Sequence, residues 1–241
     1  MPDYEFIRKA LFFPGKGILV IGDLHIGYDF MLEQSGVLIP KRQVQEVILE
    51  LKLIFEEIES RGQEVNTVVF LGDIKHSFSY NYEERDDFME VLEFLGERLP
   101  PENIIFIKGN HDTVDYSLDT SMKDFHLEGN LAFAHGHESF PDIFDDKVET
   151  IVMGHLHPAV ILSDQPKKEV FKAYLVGQHK GKEIIILPSF LEFTEGTPVN
   201  EFNQYFMDDF SIIPKKDLRN SRVFVVGEDR IYEFGKVKDF R

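Results

Sequence analysis

The chain has 241 residues, a formal net charge of −17, 43% hydrophobic residues with 23 Phe, and no cysteine. That composition excludes a disordered tail, a disulfide framework and a thiolate metal site, and the acidity disfavours a protein that coats long polyanions. Its apolar runs are strand-sized and its first residues, Met1-Pro2-Asp3-Tyr4-Glu5, lack the basic start and apolar core of a signal peptide. The expectation is therefore a cytoplasmic chain with no membrane partner, folded as a single domain over 1–241.

In chain order, the turn cluster Pro14-Gly15-Lys16-Gly17 predicts a hairpin between 4–12 and 17–22. A short helix is expected around 28–35, ended by Gly36. Pro40 then opens a long helix to about residue 61, with Val44, Val47, Ile48, Leu51, Ile54, Phe55 and Ile58 at three-four spacing and Gly62 as its C-terminal cap. A strand follows over 68–71, then a helix over 82–99 with Phe88, Val91, Leu92 and Leu95 inward, stopped by Pro100-Pro101. Alternating strands and helices predict a layered α/β fold with crossover connections. From Phe125 onward shorter strands at 126–128, 131–135, 170–176 and 184–187, and a hairpin of 223–226 with 231–234, predict a second, more antiparallel sheet packed on the first. The result expected is a two-sheet β-sandwich flanked by helices.

One local pattern recurs. Val68-Val69-Phe70-Leu71 reads as a strand buried on both faces, and Gly72 lets the backbone turn and present Asp73 at the strand's carboxyl end. The same grammar ends at Gly22-Asp23-Leu24-His25, Gly109-Asn110-His111-Asp112, His135-Gly136-His137 and Gly154-His155-Leu156-His157. A single Gly-Asp after a strand is an ordinary turn, whereas five strand ends that all carry Asp, Asn or His converge on one place in an α/β sheet. Seven of the nine histidines lie at these ends. His126 and His179 fall outside the pattern and read as structural or surface residues.

Asp23, His25, Asp73, Asn110, His135, His155 and His157 form a candidate ligand set. Two carboxylates, four imidazoles and one amide are too many for one ion but suit two ions that share a bridging group. A carboxylate bridges best, because it places two oxygens and a charge between the cations, and Asp73 is the residue chosen for that place. Oxygen and imidazole without sulfur suit Mn²⁺, Fe, Zn²⁺ or Ni²⁺ better than Mg²⁺ or Ca²⁺.

In order and spacing, the five motifs resemble the signature of the calcineurin-like metallophosphoesterases. That resemblance spans residues 22–157 and implies a β-sandwich flanked by helices with a dinuclear centre at the strand ends. It assigns Asp23, His25, Asp73 and His157 to one metal, and Asp73, Asn110, His135 and His155 to the other, with Mn²⁺ favoured. It also places His111 near the leaving-group oxygen as general acid, oriented by Asp112. Two such cations hold both sides of a phosphorus centre and turn a water between them into hydroxide near neutral pH. The chemistry implied is hydrolysis of a phosphodiester.

The chain departs from the family pattern in places. His76 stands where many relatives carry an acidic residue, and it either touches substrate or caps a turn. His137 either contacts phosphate or is an exposed loop histidine. Ser77 and Thr113 stand where the phosphoprotein phosphatases place Arg, which argues against a Ser/Thr protein phosphatase. The resemblance is strongest to small phosphoesterases of archaea and bacteria related to the double-strand-break repair nucleases. Nucleotides and single-stranded nucleic acid are the expected substrate partners. Two other readings are a single-strand nuclease that works with a nucleic-acid-processing partner such as a helicase, and a scaffold of the same fold that lost the reaction. The intact ligand set argues against the scaffold.

Overall fold

The first hairpin is part of a three-stranded antiparallel ribbon of β1 (Glu5–Ile7), β2 (Ala10–Phe13) and β3 (Ile18–Ile21). From β3 the sheet grows in parallel through β4 (Thr67–Phe70) to β5 (Ile104–Phe106). Helices α1 (Tyr28–Gln34) and α2 (Gln43–Ser60) fill the first crossover, and α3 (Tyr82–Gly96) fills the second. This computed structural model describes residues 3–37, 40–77, 81–112, 121–164, 167–192, 194–201 and 211–240, so Thr113 lies outside the described residues.

A second sheet follows from β6 (Phe125–Glu128), β7 (Leu131–Ala134), β8 (Thr150–Met153), β9 (Pro158–Asp164), β10 (Lys167–His179), β11 (Lys182–Ile186) and β12 (Thr197–Pro198). Its strand order is β12-β9-β10-β11-β8-β7-β6. After the one-turn helix α4 (Lys215–Leu218), β13 (Arg222–Val226) pairs with β10, and β14 (Ile231–Lys236) pairs with β13. The pairs β6-β7, β9-β10 and β10-β11 are antiparallel as expected, yet β7-β8-β11 at the centre and β12-β9 at one edge are parallel. Parallel neighbours end on the same side, which is what brings the residues after β7 and after β8 together.

Strand side chains alternate between faces, and that alternation builds three cores. Leu19 and Ile21 of β3 and Val68 and Phe70 of β4 face α2 and α3. Their neighbours Ile18, Val20 and Val69 meet Leu131, Phe133, Val152, Tyr174 and Ile185 between the sheets. Ala132, Ile151, Met153 and Ile184 pack on the outer face of the second sheet, under Leu218 of α4. The layers run helices, sheet, sheet and an outer cover, the two-sheet architecture the motifs implied.

Helix boundaries differ from expectation for local reasons. α2 starts at Gln43 rather than Pro40, where the Gln43 backbone N–H donates to Asp29 Oδ2 at 3.4 Å. α3 starts at Tyr82 with Asn81 as a side-chain cap and ends at Gly96 rather than residue 99. β9, β12 and α4 carry no clear periodicity in the sequence and were not expected. Among the described residues, no helix is long and apolar enough to cross a membrane.

Phe133, fully buried between the sheets, tests this packing. Phe133→Ala removes a ring from a close-packed interior and is expected to destabilise the fold by about 3–5 kcal/mol in urea unfolding. A loss under about 1 kcal/mol would show that the inter-sheet core does not hold the sandwich together.

Candidate metal centre

The loops after β3, β4, β5, β7 and β8 carry every residue of the candidate ligand set, and the structure brings those residues together. Asp23, His25, Asp73 and His157 place one ligand atom each within 4.8 Å of one another, and so do Asp73, His135 and His155. Asn110 joins the second group, its Oδ1 lying 3.1 Å from His135 Nε2. Asp73 belongs to both.

The backbone is bent to make this possible. Among the described residues six non-glycine residues have positive φ, and four of them are His25 (46°), Asp73 (47°), His155 (65°) and His157 (46°). Left-handed backbone costs a side-chain-bearing residue about 1–3 kcal/mol, and such strain gathers at functional sites. Cross-links hold it in place. His25 N donates to Asp73 O at 2.9 Å, Ile26 N to Ile74 O at 2.8 Å, and His76 N to Ile26 O at 2.9 Å. Glycine serves close approach at two points: a Cβ on Gly109 would collide with Asp73 Oδ1, and one on Gly154 would lie 2.5 Å from Asp23 Oδ2.

The donor atoms fit a pair of cations. His25 Nε2 lies 3.3 Å from His157 Nε2, and His157 Nε2 lies 3.1 Å from Asp23 Oδ1. In the second group His135 Nε2 lies 3.1 Å from His155 Nδ1 and 3.4 Å from Asp73 Oδ2. Ligands about 2.1 Å from an ion sit about 3.0 Å apart in an octahedron and about 3.4 Å apart in a tetrahedron, so these separations match the spacing that coordination requires. Two ring nitrogens that face each other need a cation or a proton between them. His135 Nδ1 lies 2.9 Å from Leu71 O, and donation there leaves Nε2 as the ligand atom.

Electrostatics follow from burial. Asp23 is fully buried, which opposes its charge, but His157, His135 and His25 outweigh that and hold the carboxyl well below the usual range. Burial, reinforced by His157, lowers the His25 imidazole to about 3. For His135 burial again opposes the charge, but the bond to Asp73 and the nearby Asp23 carry the ring up to about 9.

His111 lies beside this centre, its ring 5.0 Å from that of His25. Asp112, expected to orient the His111 ring, has a carboxylate that accepts from the backbone N–H groups of Gly109 at 2.9 Å and Ile74 at 3.0 Å, tying together the loops after β5 and β4. The His111 ring is held by the carbonyl of His76, 2.8 Å from its Nδ1. Asp112 thus positions the loop that carries His111, and His76 positions the ring. The His76 ring also stacks on His111 at 5.6 Å and meets Tyr28 edge-on at 5.0 Å. His137 packs 5.1 Å from the His135 ring. His126 and His179 lie apart as expected, His126 against Phe133 and His179 paired with Asp217 at 2.8 Å.

Several supporting residues were not read from the sequence. Buried Gln43 donates to the carbonyls of Leu24 (3.1 Å) and His25 (2.8 Å) and accepts from the N–H groups of Gly27 (3.1 Å) and Tyr28 (3.0 Å), fixing the His25 loop. A polar residue four positions before Val47 in the inward stripe of α2 was the available signal. Ser189 Oγ and Phe190 N donate to Asp23 O at 3.2 and 3.0 Å. Lys75 and Glu84 are both buried and both bind Ser77.

Residues 17–176 match the family model of the calcineurin-like phosphoesterases. No curated protein matches the chain. Among solved structures the chain is similar to nuclease MPE of Pseudomonas putida, with a TM-score of 0.62 and 18% identity over 96% of this chain and 100% of that one. For Vps29 of Entamoeba histolytica complexed with Zn²⁺ the TM-score is 0.39 at 13% identity, over 90% of this chain and 96% of that one. For an archaeal phosphodiesterase it is 0.38 at 15% identity, over 90% and 98%. The likeness to the Pseudomonas nuclease is one of fold.

The His135 proton gives a direct test. A metal needs the neutral ring, so Mn²⁺ binding at pH 7.5 is expected to release about one proton per chain, and affinity should rise about tenfold per pH unit until the ring loses its proton near 9. Calorimetry in buffers of different ionisation enthalpy measures both. Binding without proton release, and an affinity flat above pH 6.5, would contradict the assignment of His135.

Proposed function

Because the chain belongs to the calcineurin-like phosphoesterase family, we propose that it is a metal-dependent phosphodiesterase in which two divalent cations, Mn²⁺ by preference, share Asp73. Residues 1–241 act as one metallophosphoesterase domain. Asp23, His25, Asp73 and His157 would hold one cation, and Asp73, Asn110, His135 and His155 the other. The observation that carries this reading is that two separate groups of ligand atoms meet at one carboxylate. When bound, the pair of ions supplies charge neutralisation at the phosphoryl group and activation of a water.

The chain's own residues do the rest. His111, half-buried beside the ring of His25 and held through Nδ1 by the His76 carbonyl, is the general acid that carries a proton to the departing oxygen. Asp112 fixes the loop from which that ring projects. His137 and the ring of His76 line the approach to the phosphoryl group. Tyr28, His76 and His111 bring three half-buried rings together beside the site, Tyr28 edge-on to His76 and His76 stacked on His111, an aromatic cluster against which a base of a nucleotide or of single-stranded nucleic acid packs. A chain of net charge −17 repels a dianionic monoester more than a monoanionic diester, which favours diesters. A silent scaffold has no use for left-handed backbone at four candidate ligands.

Turnover of bis-p-nitrophenyl phosphate with Mn²⁺ tests the proposal. Asp73→Asn is expected to lower the rate about a thousandfold or more by uncoupling the cations. His111→Ala should lower cleavage of an oligonucleotide about 10²–10⁴-fold but affect the p-nitrophenyl ester less, since p-nitrophenolate leaves without a proton. Equal, negligible turnover in all three proteins would support the scaffold instead.

A further inference from the structure

A groove of about 1260 Å³ opens between α2, β1, β10 and the β13–β14 turn, and no candidate metal ligand lines it. Its wall includes an unused sheet edge. β1 ends the first sheet and pairs only with β2, so among the described residues no strand covers its other side, and Glu5 and Phe6 line the groove. Such an edge is a template for one more strand. Opposite it, α2 turns Leu49 and Leu53 outward, 56% and 36% exposed, although the rest of its apolar residues face the sheet. Val226 and Ile231 add apolar surface from the β13–β14 turn.

The electrostatics say what kind of strand fits. Eight carboxylates and five cations line the groove. Three of the cations are already engaged, Arg8 with Glu50 at 2.7 Å, Lys9 with Glu192 at 2.6 Å and Arg61 with Glu5 at 2.5 Å. Glu46 Oε2 and Thr194 Oγ1, both on the lining, are buried with no hydrogen-bond partner among the described residues. Buried acceptors without a donor are costly, and a ligand that brings N–H groups satisfies them. A nucleic-acid strand would bring more negative charge to an acidic wall and satisfies neither the edge nor the carboxylates.

We propose that this groove docks an extended segment of a partner protein, in which apolar residues alternate with Lys or Arg, and that the segment pairs with β1 as an added strand. Its apolar side chains cover Leu49, Leu53 and Ile231, and its cationic side chains reach Glu46 and the other spare carboxylates. Two wall residues, Gln43 and Phe190, also hydrogen-bond the loop that carries Asp23 and His25, so the partner sits directly behind the metal centre.

A display library of random short peptides, panned against the full chain, tests this whatever the identity of the partner. Enriched peptides are expected to alternate apolar and cationic residues, to bind one-to-one by fluorescence anisotropy, and to slow amide exchange across Glu5–Ile7. Leu53→Lys, at an exposed position of α2, and Glu46→Lys, at a half-buried one, should each weaken binding about tenfold or more. The proposal fails if no sequence is enriched, if the consensus is acidic, or if both variants bind as well as the parent chain. It also fails if light scattering shows that a second copy of this chain covers β1.

Discussion

Everything at the candidate centre turns on one carboxylate. Asp73 follows the end of β4, between the loops that follow its neighbours β3 and β5, and both groups of candidate ligand atoms close on it. Its Oδ1 accepts from His111 N at 2.8 Å, while Oδ2 lies 3.7 Å from His25 Nε2 and 3.4 Å from His135 Nε2. Burial makes that charge expensive, and the surrounding imidazoles, His135 foremost, still hold the carboxyl below its ordinary value. A buried anion amid basic rings is a site prepared for cations.

The fold maintains its strained loops through rigid support. Parallel strands set the ends of β3, β4 and β5 side by side, and β7 and β8 do the same in the second sheet. Three apolar cores fix those strands, and side chains that touch no metal fix the loops: Gln43 below His25, Asp112 between the loops after β4 and β5, Ser189 on Asp23. Loss of any of these would loosen ligand geometry without removing a ligand, which is why supporting residues matter to metal affinity nearly as much as the ligands do.

The sequence marks the candidate ligands because each follows a largely buried strand, and such strands leave a continuous apolar run with a glycine close to its end. It shows α2 and α3 for a similar reason, through three-four spacing. Asp112 marks where that legibility stops. Its neighbour His111 invites a side-chain bond, but Asp112 Oδ1 accepts instead from backbone N–H groups 38 and 37 residues back, and Gln43 likewise binds a loop 15 to 19 residues back. Those partners exist only once the loops have met. β9 and β12 escaped notice because their pairing is decided by long-range register rather than by local pattern, and Lys75, 1% exposed, is a lysine that no composition rule would bury.

Anomalous diffraction from crystals soaked in Mn²⁺ tests the central claim most directly. Two scattering peaks are expected, with one Asp73 carboxylate coordinating both, His25 and His157 on one side, and His135 and His155 on the other. A single peak that leaves Asp73 free, or manganese bound away from the ends of β3, β4, β7 and β8, would contradict it.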